Sequence, residues 1–137
     1  MRAKIGVLTT CFSMLCAGTA LVAHHSFSTE YDGTKTFNIK GKVSKVEWTN
    51  PHVRFYVDIV DETGKVATWN MELASPSALS RNGWTSRTLK VGDQVAVEGY
   101  AAKVAAYRGN ARSVVTADGR SLFAGAADDP DGPGAPR

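Results

Sequence analysis

From Thr36 to Leu73 the chain falls into runs that alternate apolar and polar residues with a period of two, the pattern of strands buried on one side. Phe37, Ile39, Gly41 and Val43 alternate with polar neighbours, and the apolar set then changes parity to Val46 and Trp48. A one-residue slip sends side chains to the opposite face, so Ser44-Lys45 is expected to be a β-bulge in one long, bent first strand. The loop Thr49-Asn50-Pro51-His52 leads to a second strand, with Val53, Phe55, Val57 and Ile59 inward and Arg54, Tyr56 and Asp58 outward. Glu62-Thr63-Gly64-Lys65 reads as a hairpin turn. In the third strand, Val66 to Leu73, Ala67, Trp69, Met71 and Leu73 face the core, and Thr68, Asn70 and Glu72 face out.

The pattern then breaks. Ser75 is placed as an N-cap and Pro76 at the first position of a short helix through Ser80 or Arg81, which Asn82-Gly83 ends. Trp84 is expected to pack back onto the end of the sheet. Leu89 to Asp93 turns into a fourth strand, Gln94 to Tyr100. A connection over Ala101 to Asn110 leads to a fifth, near Ala111 to Thr116, and Asp118-Gly119 turns into a short last strand, Arg120 to Phe123. Three strands, a helix and two more strands, with a bent first strand, is the order of an OB-fold. The turn Leu-Lys-x-Gly-Asp-x-Val-x-Val is similar to turns found in OB domains. The expected fold is mainly β, a small five- to six-stranded OB-like barrel with one short helix between strands 3 and 4. Another small barrel or an open sandwich is the alternative.

The flanks change the picture. Met1 to Lys4 is basic, Ile5 to about Leu15 apolar, and Ala17 to Ala23 small, the order of a secretory signal over residues 1–23 and too short for a membrane span. Residues 24–35 read as an arm lying on the domain, 36–123 as the barrel, and 124–137 as a disordered acidic Pro/Gly tail. Both cysteines, Cys11 and Cys16, fall in the signal, so the mature chain has no disulfide and no thiol ligand. Loss of Arg2 and Lys4 leaves 14 basic residues against 13 acidic, a net charge of about +1. That is far from the positive field of a nucleic-acid binder, and no nucleic-acid partner is expected. The expected location is the periplasm or the exterior, with an envelope protein or a small ligand as partner and no transmembrane span in the mature chain.

OB-folds bind on a face flanked by the loops between strands 1 and 2 and between strands 4 and 5. The first loop carries Trp48, Asn50, Pro51 and His52; the second carries Lys103, Tyr107, Arg108 and Asn110, with Arg112 beyond. Trp48, Asn50, Arg54, Tyr56, Tyr107, Arg108, Asn110 and Arg112 are therefore the candidate ligand or partner residues, arginines for anionic or carbonyl groups and aromatics for stacking. Trp48 has core packing as its competing role.

Three histidines occur, and His24 and His25 fall at the expected mature N-terminus. A free amine beside an imidazole chelates Cu(II), so His24, His25 and His52 form a candidate copper site. In the competing reading the pair merely follows the cleavage site and His52 orders its loop. No nucleophile elbow, thiol or carboxylate pair is evident, so no catalytic residue is assigned and no enzyme is expected. Glu47, Glu72 and Glu98 read as isolated outward carboxylates, solvated or paired at the surface.

The motifs Ala-His-His-Ser-Phe at 23–27, Val-Glu-Trp-Thr-Asn-Pro-His at 46–52, Leu-Ala-Ser-Pro-Ser-Ala-Leu at 73–79, Arg81 to Trp84, and Arg-Gly-Asn-Ala-Arg-Ser-Val at 108–114 occur together and in order. In these the chain resembles a family of small exported bacterial proteins known as domain of unknown function six-one-five-two. The resemblance spans about Ala23 to Gly125. It implies an exported single domain with an OB-like barrel and no established activity. It includes the motif histidines His24, His25 and His52.

Overall fold

The computed structural model describes residues 27–125. A helical turn, α1 (Phe27–Glu30), runs into β1 (Tyr31–Glu47); β2 (Arg54–Val60), β3 (Val66–Glu72), α2 (Pro76–Arg81), β4 (Gln94–Ala102), β5 (Arg108–Thr116) and β6 (Ser121–Phe123) follow. The signal, His24 and His25, and all but the first two residues of the acidic tail lie outside the described residues.

β1 serves two partners. Thr36 to Lys42 pairs with β4, and Lys42 to Glu47 pairs with β2, with a register shift between Val43 and Lys45. The extra residue is Ser44, whose hydroxyl bonds Asp58 Oδ1 at 3.1 Å. The parity change from Val43 to Val46 therefore has a backbone cause. The bend itself needs Gly41, where a Cβ would stand 2.5 Å from the Asp58 carbonyl oxygen. β3 pairs with β2 on one side and, in parallel, with β5 on the other, and β5 pairs with β4. The pairings β1–β2–β3–β5–β4–β1 thus run round a ring, which is the strand order of an OB-like barrel, and β6 extends it on β5.

The inward residues fill the ring as their periodicity requires. Val43, Phe55, Val57, Met71, Val97 and Val114 are fully buried. α2 closes one end: the Ser75 hydroxyl accepts from the Ala78 amide at 3.3 Å, Pro76 occupies the first turn, and Gly83 carries the positive φ that stops the helix. Leu79, Trp84 and Leu89 then pack under Val46, Trp48, Val53, Phe55 and Leu73, leaving a gap of about 10 Å³, no more than one water needs. The indole of Trp84 also donates to the Phe123 carbonyl at 2.8 Å, tying β6 to this end. In β3, the Phe37 and Trp69 rings meet at 5.1 Å, tilted by 46°, and Tyr107 meets Trp69 edge-on at 5.8 Å.

The boundaries that bear on the site differ from the sequence reading at three places. Residues 31–35, read as part of an arm, begin β1, because Tyr31 is buried against Phe27 and pairs with Ala102. β5 begins at Arg108, so Arg108 and Asn110 are strand residues rather than loop residues; the parallel ladder with Asn70 and Glu72 holds them. Ala124 is buried, donating to the Arg112 carbonyl at 2.8 Å and accepting from the Ala74 amide at 2.9 Å, so the ladder runs past Phe123.

Candidate functional site

The loop after β1 is pinned at its far end by a pair of backbone bonds, Val53 N–H to the Ala74 carbonyl at 3.1 Å and Leu73 N–H to the Val53 carbonyl at 2.9 Å. The Asn50–Pro51 bond is cis. His52 is half-buried, and its Nδ1 lies 3.0 Å from the Leu73 carbonyl oxygen. A carbonyl only accepts, so Nδ1 carries the proton, and Nε2 is the ring atom left for another partner. Glu47, Thr49, Asn50, Pro51, His52 and Arg54 line an open depression of about 340 Å³.

The ends of two adjacent strands supply its charges. Glu47 and Arg54 stand opposite one another across β1 and β2. They do not pair with each other in an ion pair. Glu47 accepts from Lys45 at 2.6 Å and from the Tyr56 hydroxyl at 3.2 Å, and the Lys45 hydrogen bond holds its carboxyl below the ordinary value, with Tyr56 adding to it. The Lys45 ammonium also lies 5.2 Å above the Tyr56 ring. Arg54 donates to Glu72 Oε2 through Nη2 and to Asn70 Oδ1 at 3.3 Å through Nη1.

Glu72 is paired with arginines, one of the two roles the sequence reading offered, but it is covered rather than standing at the surface. Its side chain is only 11% exposed, and the same Oε2 lies 3.6 Å from Arg108 Nη2. Arg108 in turn donates to Glu30 Oε2 at 2.6 Å and stands 5.8 Å from the Tyr31 ring centre. The carboxylate is covered because the N-terminal segment crosses this face. Phe27, Tyr31 and Tyr100 form an aromatic group, the Lys103 amide donates to the Glu30 carbonyl at 2.9 Å, and the Lys103 ammonium reaches the Ser28 carbonyl at 2.5 Å. The Tyr31 phenol lies against Glu72 and Arg108, and among the described residues Asn110 Oδ1, in β5 beside them, is buried without a hydrogen-bond partner. Burial pushes the Tyr31 phenol well up, and the neighbouring Glu72 carboxylate adds to the rise.

The candidate residues therefore divide. Asn50, His52 and Arg54 meet at the depression. Trp48 packs against the core instead, and Tyr56 lies beside Glu47 and Lys45. Tyr107 is exposed, with φ +54°, and covers Trp69. Arg108 sits beneath the N-terminal segment, Asn110 is buried between β3 and β4, and Arg112 holds Ala124 through its backbone carbonyl. Among the described residues no three His, Cys, Asp or Glu side chains gather as a metal site, and no helix is long and apolar enough to cross a membrane. Sequence reasoning passed over Glu47, Asn70 and Glu72. The last two were within reach: counting back through the β2–β3 hairpin from Val60 and Val66 puts Arg54 opposite Glu72 and Tyr56 opposite Asn70.

No curated protein matches the chain. Among solved structures it is similar to the mitochondrial single-stranded DNA binding protein Rim1 of S. cerevisiae. One crystal form has 12% identity and a TM-score of 0.48, covering 61% of this chain and 93% of that one. A second has 14% identity and a TM-score of 0.48, covering 61% and 92%. The match that places the chain among relatives is a family model over residues 12–111, which takes in the histidine motif, the whole 46–52 loop motif and the helix. The chain belongs to the family of unknown function DUF6152.

Proposed function

We propose that the protein is an exported binding or accessory module of the periplasm, whose ligand or partner group seats in the depression of Asn50, His52 and Arg54. The observation that carries this reading is the depression itself, about 340 Å³ in the loop between the first two strands, where OB-folds take their ligands. Its polar groups are positioned before any ligand arrives. His52 is oriented by the Leu73 carbonyl, and Arg54 by Asn70 and Glu72. Preorganised groups lose little entropy on binding, and a held His52 and Arg54 with Asn50 beside them suit a small ligand or an exposed group of a partner protein. Catalysis and nucleic-acid binding form no part of the reading. The test is an NMR-detected screen of carboxylates, phosphates, amines and short peptides against the isotope-labelled protein. Binders are expected to move signals of residues 47–54 and to lose affinity in His52→Ala. If no compound perturbs those residues, or His52→Ala binds every hit unchanged, the seat is elsewhere.

A second reading has one observation in its favour. A metal-binding imidazole characteristically donates its other N–H to a carbonyl or carboxylate, and His52 does so to Leu73. In this reading His24 and His25, with the amine freed by signal cleavage, join His52 to hold Cu(II). Protein with its natural mature start should then bind Cu(II) far more tightly than protein with Met ahead of His24. Equal affinities would remove the amine from the site.

A further inference from the structure

Glu47 and Arg54 stand opposite one another at the ends of β1 and β2, and their charges do not meet. Each is held by partners of its own. Lys45 and Tyr56 hold the carboxylate, one at each oxygen, and Glu72 and Asn70 hold the guanidinium. Among the described residues the ion pairs in and behind the seat balance, with Lys45, Arg54 and Arg108 meeting Glu47, Glu72 and Glu30. A charged ligand entering here finds no unmatched charge and still sheds water, which is unfavourable.

What both groups keep is hydrogen-bonding capacity. Each Glu47 oxygen has a lone pair beyond the one its present donor takes, and Arg54, 29% exposed, has N–H groups beyond the two engaged. His52 Nε2 is a further acceptor, because the Leu73 carbonyl holds the ring proton at Nδ1. The Asn50 side chain, in the same lining, offers a donor and an acceptor. A ligand that satisfies both walls therefore needs a donor and an acceptor on different atoms, and no net charge. An amide has that form, a rigid plane with N–H on one side and C=O on the other. A hydroxyl carries both functions on a single oxygen and does not span the walls. β2 is paired on both sides, by β1 and β3, so the amide is read by side chains rather than added as a strand. We infer that the depression binds an uncharged peptide amide, its N–H donating to Glu47 and its carbonyl accepting from Arg54, with His52 Nε2 and Asn50 placed for the adjoining amide. This rests on the reading of the depression as the ligand seat and adds the ligand's chemical class. Every ion pair of the structure stays in place.

The probe is N-acetylglycine methylamide, a capped peptide unit without charge. Acetate and methylammonium, which present the carbonyl side and the nitrogen side of an amide as separate ions, are titrated beside it into the labelled full-length protein at constant ionic strength. The capped amide should move the signals of residues 47–54 saturably, and each ion should bind at least about tenfold more weakly, the difference that one charge-assisted hydrogen bond makes. In Glu47→Gln the amide should lose about fivefold, because a neutral acceptor replaces a charged one. The same variant should begin to bind acetate, because Arg54 and Lys45 then exceed the carboxylates that matched them. Acetate or methylammonium binding the parent as tightly as the amide overturns the uncharged class and leaves the seat standing. So does a Glu47→Gln variant that keeps full amide affinity and gains no acetate. If the amide fails while carboxylates, phosphates or amines move residues 47–54, the amide assignment fails alone. If nothing moves them, the seat fails too.

Discussion

Replacing Glu72 by alanine tests how the candidate site is built. Its carboxylate is 11% exposed, and its two partners, Arg54 and Arg108, are 29% and 32% exposed. Removing one partner of a buried ion pair costs about 3–5 kcal/mol, chiefly because the other charge is left uncompensated. Here the remaining charges have recourse: Arg54 keeps Asn70 and some water, and Arg108 keeps Glu30 at 2.6 Å. The loss should fall to about 2–3 kcal/mol, or roughly 10–20 °C in melting temperature for a domain of this size. Calorimetry or circular dichroism reads it directly. Replacing Arg54 and Glu72 together by methionine should restore most of the loss, since apolar residues of similar volume leave no stranded charge. The exposed pair Lys45–Glu47 provides the control, because its removal should leave the melting temperature where it was. Glu72→Ala melting within about 3 °C of the parent would refute the argument. So would a double variant no better than the single one.

Two further outcomes follow from the same geometry. Gly99→Ala puts a Cβ 2.0 Å from the Asn110 carbonyl oxygen, which is backbone and cannot swing away, at the register shift between β4 and β5. The strands must part there, and a loss of about 3 kcal/mol or more is expected in denaturant unfolding; an unchanged midpoint would show that the strands are not so close. Tyr31 supplies a pH dependence. Its phenol is held above its ordinary value by burial, and next by Glu72, so the folded state resists an ionisation that the unfolded chain undergoes near pH 10. That contribution is fully present below about pH 10 and is lost as pH rises beyond it. Urea midpoints measured from pH 8 to 11 should fall more steeply for the parent than for Tyr31→Phe, and parallel curves would refute the assignment.

Much of the fold was legible because strands of half-buried sheets write their inward face into every second residue. The alternations 37–43, 53–59 and 67–73, the parity change at Ser44, and the Ser75-Pro76 start and Asn82-Gly83 stop of α2 are local features, and each has a local cause. The strand order with one helix between β3 and β4 then leaves few ways to close the sheet. What the chain could not show on its own was pairing at a distance. Periodicity assigns Glu72 to the outer face of β3, and an outer face reads as solvated. Only the N-terminal segment, crossing 71 residues of sequence from Tyr31 to Ala102 in β4 and 78 from Glu30 to Arg108 in β5, turns that position into a covered one. The same closure withdrew Arg108 and Asn110 from the loop face and packed Trp48 against the core beside Trp84. It left Asn50, His52 and Arg54 together at the rim. Residue types and their inward or outward parity are properties of the local chain. Which outward residues remain open to a ligand is a property of what the fold lays over them.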